Sequence, residues 1–186
     1  DIISSEGIIA AIENLPEGIR GSQEAVAETI ENNVRKKIIK EHLIDPAFFD
    51  EMSKLLAEII KARKEAAISY QEFLEKIAEL AKKVTAGKSD ETSDALVTIA
   101  QRALYNNLGK DEDLALRIDK AVRDTKRDDW RGNLPKEREL KLAIYKELTS
   151  YEIDSGIDVA NEPPAPYGLE NKVEKIFDII KAQAEY

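Results

Sequence analysis

The chain has no cysteine, and its 186 residues include one histidine, one methionine and one tryptophan. Without cysteine it can form neither a disulfide framework nor a thiolate zinc site, which fits a reducing, cytoplasmic location. The single histidine, His42, rules out a histidine-rich metal centre, and its place near a predicted helix end is typical of a dipole contact. No apolar run approaches the roughly 20 residues that a bilayer-crossing helix needs, and the first residues do not resemble a signal peptide.

The length indicates one domain of ordinary size, or one domain with an appendage, and the composition indicates an aliphatic, helical interior. Hydrophobic residues make up 42% of the chain, aromatic residues 6% and charged residues 35%. The net charge of −9 argues against a protein that coats nucleic acid nonspecifically, although it leaves room for a local basic patch. The chain starts at Asp1 without an initiator methionine, so we expect a fragment of a longer protein.

Apolar residues recur every three or four positions through most of the chain, and no segment alternates as a strand would. The sequence therefore predicts an all-α fold, an irregular bundle of about seven or eight helices. Start signals include Ser22 as a cap, Pro46 after Asp45, and a capping box from Ser69 to Glu72. Four predicted helices have both bounds: 5–15, 94–108, 112–124 and 169–184. Asp111 caps the one at 112–124. Four more are predicted from their starts, three after Ser22, Asp45 and Ser69 and one at Pro135.

Loops between these helices suggest how the chain is divided. We expect residues 1–21 to be a lead-in from a preceding region, and residues 22–186 to form the helical domain. The polar stretch 85–93 is a loop and a possible hinge, and the proline-containing stretch 150–168 is predicted to be an extended connection.

Sequence patterns for common catalytic sites are weak. Gly87-Lys88-Ser89 matches the end of a phosphate-binding loop, but Lys82 stands where that motif needs glycine, so a surface turn is the better interpretation. Acidic pairs such as Asp111/Asp113 are explained by helix caps and solvated faces, with a carboxylate metal site as the alternative. We therefore predict no catalytic residue, no metal site and no cofactor in these residues.

One segment stands out by its charge. Residues 117–146 hold ten lysines and arginines against six acids, a local charge of +4 in a chain of −9. Its first basic residues lie mostly three or four apart and so share a helix face, which could contact phosphates. The alternative is a solvated face with local ion pairs. The candidate contacts to the DNA backbone are Arg123, Lys126, Arg127, Arg131, Lys136 and Arg138.

Trp130 lies in a loop inside this basic segment. A single tryptophan in a loop commonly packs on the core with its indole N–H bonded. Beside arginine, it could instead anchor in a partner's pocket or contact a ligand. We keep both interpretations, with Trp130 as the candidate for partner docking.

Five short segments, in order, resemble the C-terminal region of the motor (R) subunit of type I restriction enzymes. They are 24–35 (EAVAETIENNVR), Asp45-Pro46 with 52–56 (MSKLL), 102–108 (RALYNNL), 129–133 (DWRGN) and 179–186 (IIKAQAEY). The similarity runs from about residue 12 to residue 186.

The resemblance implies a parent subunit that is an ATP-dependent site-specific deoxyribonuclease and DNA translocase, with ATP and Mg²⁺ bound elsewhere. This region would be a non-catalytic domain that joins the motor to the methyltransferase core of M and S subunits, near double-stranded DNA. Its partners would be those subunits, the DNA and the remainder of the motor subunit, with no membrane. Two alternatives stay open: a stand-alone helical interaction domain without DNA contact, and a helical enzyme with a carboxylate metal site.

Overall fold

A computed structural model describes Gly18 and residues 21–154 and 166–186. These residues form seven α-helices and no strand, so the all-α prediction is confirmed. The predicted helix 5–15 lies outside the described residues. The helices are α1 (Gln23–Glu41), α2 (Pro46–Lys64), α3 (Tyr70–Ala86), α4 (Ile99–Asn107), α5 (Glu112–Thr125), α6 (Leu134–Asp154) and α7 (Pro166–Ala182).

The chain divides into two compact units. The first comprises Asp1–His42 and Pro46–Glu91, and the second comprises Leu43–Asp45 and Thr92–Tyr186. The division at Glu91 falls inside the stretch 85–93, whose role as a hinge stays a prediction. Every helix in the described residues is too short or too polar to span a bilayer.

The first unit packs α1, α2 and α3 around one aliphatic and aromatic core. Three sequence predictions are confirmed here: Ser22 caps α1, Pro46 begins α2, and Ser69 with Glu72 forms a capping box on α3. Gly87 ends α3 in the left-handed conformation, with φ +58°, which glycine adopts without a steric penalty. The largest fully buried side chains of this core are Phe73, Ile30, Met52, Ile77, Val26 and Val34.

The second unit packs α4 to α7 around another core. Asp111 caps α5, as predicted, and its side chain accepts from the Leu114 backbone N–H at 3.0 Å. Trp130, which precedes α6, joins this core. The core also includes Leu104, Ile118, Leu140, Ile144, Leu148, Phe177 and Ile180.

Several predicted helix ends were wrong. Helix α4 begins at Ile99 rather than residue 94, because Thr98 and Gln101 form a capping box there. Helix α3 runs to Ala86, and α6 starts at Leu134 and runs to Asp154, four residues beyond the predicted start of the extended connection. The last helix covers Pro166–Ala182 rather than 169–184.

Candidate functional site

Trp130 is buried, with 2% of its surface exposed. Its indole Nε1–H donates to the backbone oxygen of Tyr186 at 3.1 Å, and its ring meets Phe177 edge-on at 5.8 Å between centroids. The Arg131 guanidinium lies 4.5 Å from the centre of the indole ring. Trp130 therefore anchors its loop, and docking through the indole itself stays a prediction that would require the ring to leave this position.

The partner of this loop is the closing segment, residues 183–186. Lys126 Nζ donates to the Tyr186 backbone oxygen at 3.1 Å, alongside the indole of Trp130. Arg131 donates through Nε to the Lys181 carbonyl at 3.2 Å and through a terminal nitrogen to the Gln183 carbonyl. Two of the predicted DNA-contacting cations are thus engaged with backbone oxygens of their own domain.

Asp119, on α5, is the buried centre of the polar network around the closing segment, with 5% of its surface exposed. Its carboxylate accepts from the Tyr186 hydroxyl at 2.5 Å, Gln101 Nε2 at 2.9 Å and Arg123 Nε at 3.0 Å. Burial alone would raise the pKa of Asp119, but these hydrogen bonds outweigh it and lower the pKa. Burial, followed by the bond to Asp119, raises the pKa of Tyr186.

Glu185 supplies the start of α4 with an extra acceptor. Its Oε1 accepts from the backbone N–H of Ile99 at 2.9 Å and of Ala100 at 3.4 Å. A negative charge at this end also complements the helix dipole. Its other oxygen, Oε2, lies 3.6 Å from Arg123, so one carboxylate serves two helices.

A second polar cluster surrounds Asp45, which is 5% exposed. Its two carboxylate oxygens accept from the side-chain amides of Asn106 and Asn107, both at 2.7 Å. Gln183 links this cluster to the closing segment by donating to the Ile44 carbonyl at 2.7 Å. Residues distant in sequence therefore form one hydrogen-bonded network inside the second unit.

The six predicted DNA-contacting cations differ in availability. Arg123 pairs with Asp119, Lys126 and Arg131 hold the closing segment, and Lys136 Nζ donates to the Asp128 carbonyl at 2.6 Å. Arg127 has a 69% exposed side chain and a 3.5 Å contact with Glu139, and Arg138 is exposed.

Neighbouring cations of the basic segment form local ion pairs, which was the alternative to a phosphate-contacting face. Arg117 Nη1 lies 3.0 Å from Asp154 and its Nε lies 3.3 Å from Glu147, while Lys120 lies 2.6 Å from Asp124. These carboxylates sit on α5 and α6 and neutralise much of the predicted basic face locally.

The structure also places the other sequence candidates. His42 Nε2 lies 2.8 Å from Asp50 Oδ1, which makes it a local contact at the end of α1. Gly87 ends α3, so the motif it begins follows a helix rather than a strand. Within the described part of the chain, no group of three or more histidine, aspartate or glutamate side chains could hold a metal ion.

The described residues include two surface depressions. One, of about 530 Å³, adjoins Trp130 and is lined by Lys126, Arg127, Asp128, Asp129, Arg131 and Tyr186. Its walls carry both charge signs, so it has no clear preference for an anion or a cation. The other, of about 340 Å³, lies between α2 and α3 in the first unit, with apolar Leu55, Ile59, Ile68 and Leu80 among charged neighbours.

No protein-family model, curated protein or solved structure matches this chain. The geometry of its own network and surfaces is therefore the basis for a functional proposal.

Proposed function

We propose that this chain is a non-catalytic helical assembly domain of a type I restriction motor subunit, attaching the motor to the methyltransferase core. The observation that supports this is the contact between segments that carry the resemblance. Asp45 bonds Asn106 and Asn107, while Trp130 and Arg131 bond the segment 179–186.

These contacts join positions that are far apart in the sequence. Asn106 lies 61 residues from Asp45, and Tyr186 lies 56 residues from Trp130. Gln183 connects the two pairs through Ile44, 139 residues away. Four of the five resembling segments, or their immediate neighbours, thus belong to one hydrogen-bonded network of this chain, which supports treating them as parts of one structural unit. The polar groups of this network bond one another and stabilise the fold. We therefore look for the contact with the methyltransferase core on the outer surfaces.

We assign the methyltransferase contact to the groove between α2 and α3, called here the α2/α3 groove. Its apolar part comes from Leu55, Ile59, Ile68 and Leu80, and its rim from Glu58, Lys76, Glu79 and Lys83. An apolar floor between charged rims accepts the apolar face of an amphipathic helix, whose polar face stays in water. The occupant proposed is one such helix of the methyltransferase core.

A pull-down of the motor subunit with the M and S subunits tests this assignment. Leu55→Asp places a charge on the groove floor, and we expect at least a tenfold loss of binding. The matched control is Ile39→Asp, because Ile39 is 68% exposed on α1 of the same unit and is not part of the groove. Circular dichroism checks that both variants stay helical. Equal binding by both variants would rule out the groove.

The function itself has a separate test. Removing residues 24–186 from the motor subunit should abolish its assembly with the methyltransferase. If the shortened subunit still assembles, the assembly role is wrong wherever the contact lies. If the deletion abolishes assembly but Leu55→Asp leaves binding unchanged, the assembly role stands and the contact lies on another face.

Nonspecific contact with the DNA backbone is a second candidate function, now centred on Arg127 and Arg138. These two guanidinium groups are exposed, whereas the other four candidates are engaged inside the domain. Each phosphate contact releases counterions, so replacing both by alanine should reduce the salt dependence of DNA binding by roughly 1 to 2 units. Lys120→Ala is the control, since Lys120 is 77% exposed but held by Asp124. An unaltered salt slope would show that these arginines do not contact DNA.

A further inference from the structure

Helix α6 has two apolar faces. One is buried in the second unit and carries Leu140, Ile144 and Leu148, each at most 1% exposed. The other faces away from this core, and its apolar side chains are largely exposed: Leu134 at 66%, Leu142 at 53%, Tyr145 at 42% and Ile153 at 64%.

The exposed residues form one continuous stripe. At 3.6 residues per turn, these four positions fall within an arc of about 100° along the whole helix. Arg138 and Thr149 lie in the same arc, and the Thr149 hydroxyl is already bonded to the Tyr145 carbonyl at 2.9 Å. We call these six residues the α6 stripe: Leu134, Arg138, Leu142, Tyr145, Thr149 and Ile153.

The spacing of the α6 stripe is the same in both directions. Successive members are four, four, three, four and four residues apart. An antiparallel copy related by a two-fold axis midway along the stripe would therefore place each side chain opposite a member of the stripe. Leu142 would face Tyr145 of the second copy, and Leu134 would face Ile153 of the second copy. A two-fold interface requires this kind of self-complementarity.

Charges beside the stripe fit the same arrangement. Glu139 and Lys146 lie on one flank of α6, seven residues apart and both exposed. In an antiparallel helix pair, a flank meets the same flank of the other helix. Glu139 would then meet Lys146 of the second copy, and Lys146 would meet its Glu139. Among the described residues, the only ion pair of Glu139 is its 3.5 Å contact with exposed Arg127. Its carboxylate is therefore available to Lys146 of the second copy.

We infer that this chain self-associates through the α6 stripe as an antiparallel, two-fold dimer. This goes beyond the proposed function and uses a different surface from the α2/α3 groove, which belongs to the first unit, whereas α6 belongs to the second. The stripe shares Arg138 with the candidate DNA surface, so the dimer would cover that arginine. A single helix pair buries less than the roughly 1,200–2,000 Å² of a standard interface. We therefore expect a weak dimer, with a dissociation constant on the order of 0.1 mM.

Analytical ultracentrifugation of the 186-residue chain over a range around that concentration tests the inference. We expect reversible dimerisation that Leu142→Asp weakens at least tenfold. The control Val97→Asp should leave it unchanged, because Val97 is 76% exposed in the same unit but lies outside the stripe. A chain that stays monomeric throughout, or a dimer that survives Leu142→Asp, would overturn the inference.

The register and the antiparallel direction of the helix pair are tested by disulfide cross-linking. The chain has no cysteine of its own, so only the introduced cysteines can react. Arg138→Cys mixed with Thr149→Cys should give a disulfide-linked heterodimer, whereas neither variant should cross-link by itself. Glu139→Lys should weaken association, and adding Lys146→Glu should restore it. Cross-linking of either single variant alone would contradict the antiparallel pairing.

Discussion

The Tyr186 hydroxyl provides the sharpest test of the network in the second unit. Tyr186→Phe removes one 2.5 Å hydrogen bond to the buried carboxylate of Asp119 and keeps the ring. A hydrogen bond to a charged group contributes about 1.5–3 kcal/mol. Because Arg123 and Gln101 still donate to Asp119, we expect a loss near the low end, roughly 1.5 kcal/mol in the free energy of unfolding.

The pH dependence gives an independent readout of the same bond. The pKa of Tyr186 is raised in the folded state, so the folded protein holds this proton more tightly than the unfolded chain does. The stabilisation is therefore fully present below the unfolded pKa of about 10 and is lost as the pH rises above it. One proton corresponds to about 1.4 kcal/mol per pH unit, and Tyr186→Phe should lack this alkaline loss.

Trp130 makes the measurement specific to the second unit. It is the only tryptophan, it is buried there, and Tyr186→Phe preserves its bond to the Tyr186 backbone oxygen. Urea unfolding followed by its fluorescence should be measured between about pH 7 and pH 11. Tyr145→Phe is the control, because Tyr145 is 42% exposed and a surface change should stay within about 0.5 kcal/mol. Parallel alkaline slopes for the wild-type chain and Tyr186→Phe would refute the assignment.

Three further changes test other parts of the structure. Trp130→Phe deletes the indole bond to Tyr186 and should cost about 2–3 kcal/mol in thermal unfolding followed by circular dichroism; an unchanged midpoint would contradict the anchoring role. Ser69→Ala removes the α3 cap and should cost about 1 kcal/mol in urea unfolding, while exposed Ser53→Ala should cost little. Asp45→Ala leaves the Asn106 and Asn107 amides without this acceptor and should cost about 2–3 kcal/mol, checked by the same Trp130 fluorescence.

Local sequence patterns predicted much of the fold because helices are built from short-range contacts. The four-residue apolar spacing and the Ser22 cap predicted α1, and the Ser69–Glu72 box predicted α3. The errors in the predicted helix bounds lie where another capping residue or a long-range contact determines the end of the helix. Thr98 and Gln101 were visible as a capping box, but the Glu185 carboxylate that also bonds the start of α4 was not foreseeable from local pattern.

The candidate site was only partly predictable for a related reason. Spacing brought Arg123 and its neighbours onto one helix face, but it could not show which carboxylates oppose them. The bond between Tyr186 and Asp119 joins residues 67 apart, and neither residue was a candidate in the sequence. An acidic residue at a mostly apolar helix position, such as Asp119 next to Ile118, was the one available sign of a buried partner.

The internal hydrogen bonds determine which of the cations proposed to contact DNA are available for such a contact. If Lys126 or Arg131 moved to a phosphate, it would give up a part-buried hydrogen bond from a charged donor to a backbone oxygen of the closing segment, which contributes about 1.5–3 kcal/mol. An exposed ion pair returns about 0–1 kcal/mol. The exchange is therefore unfavourable for these two cations. Arg127 would give up only an exposed 3.5 Å contact, which is why the proposed DNA contact is centred on it together with exposed Arg138.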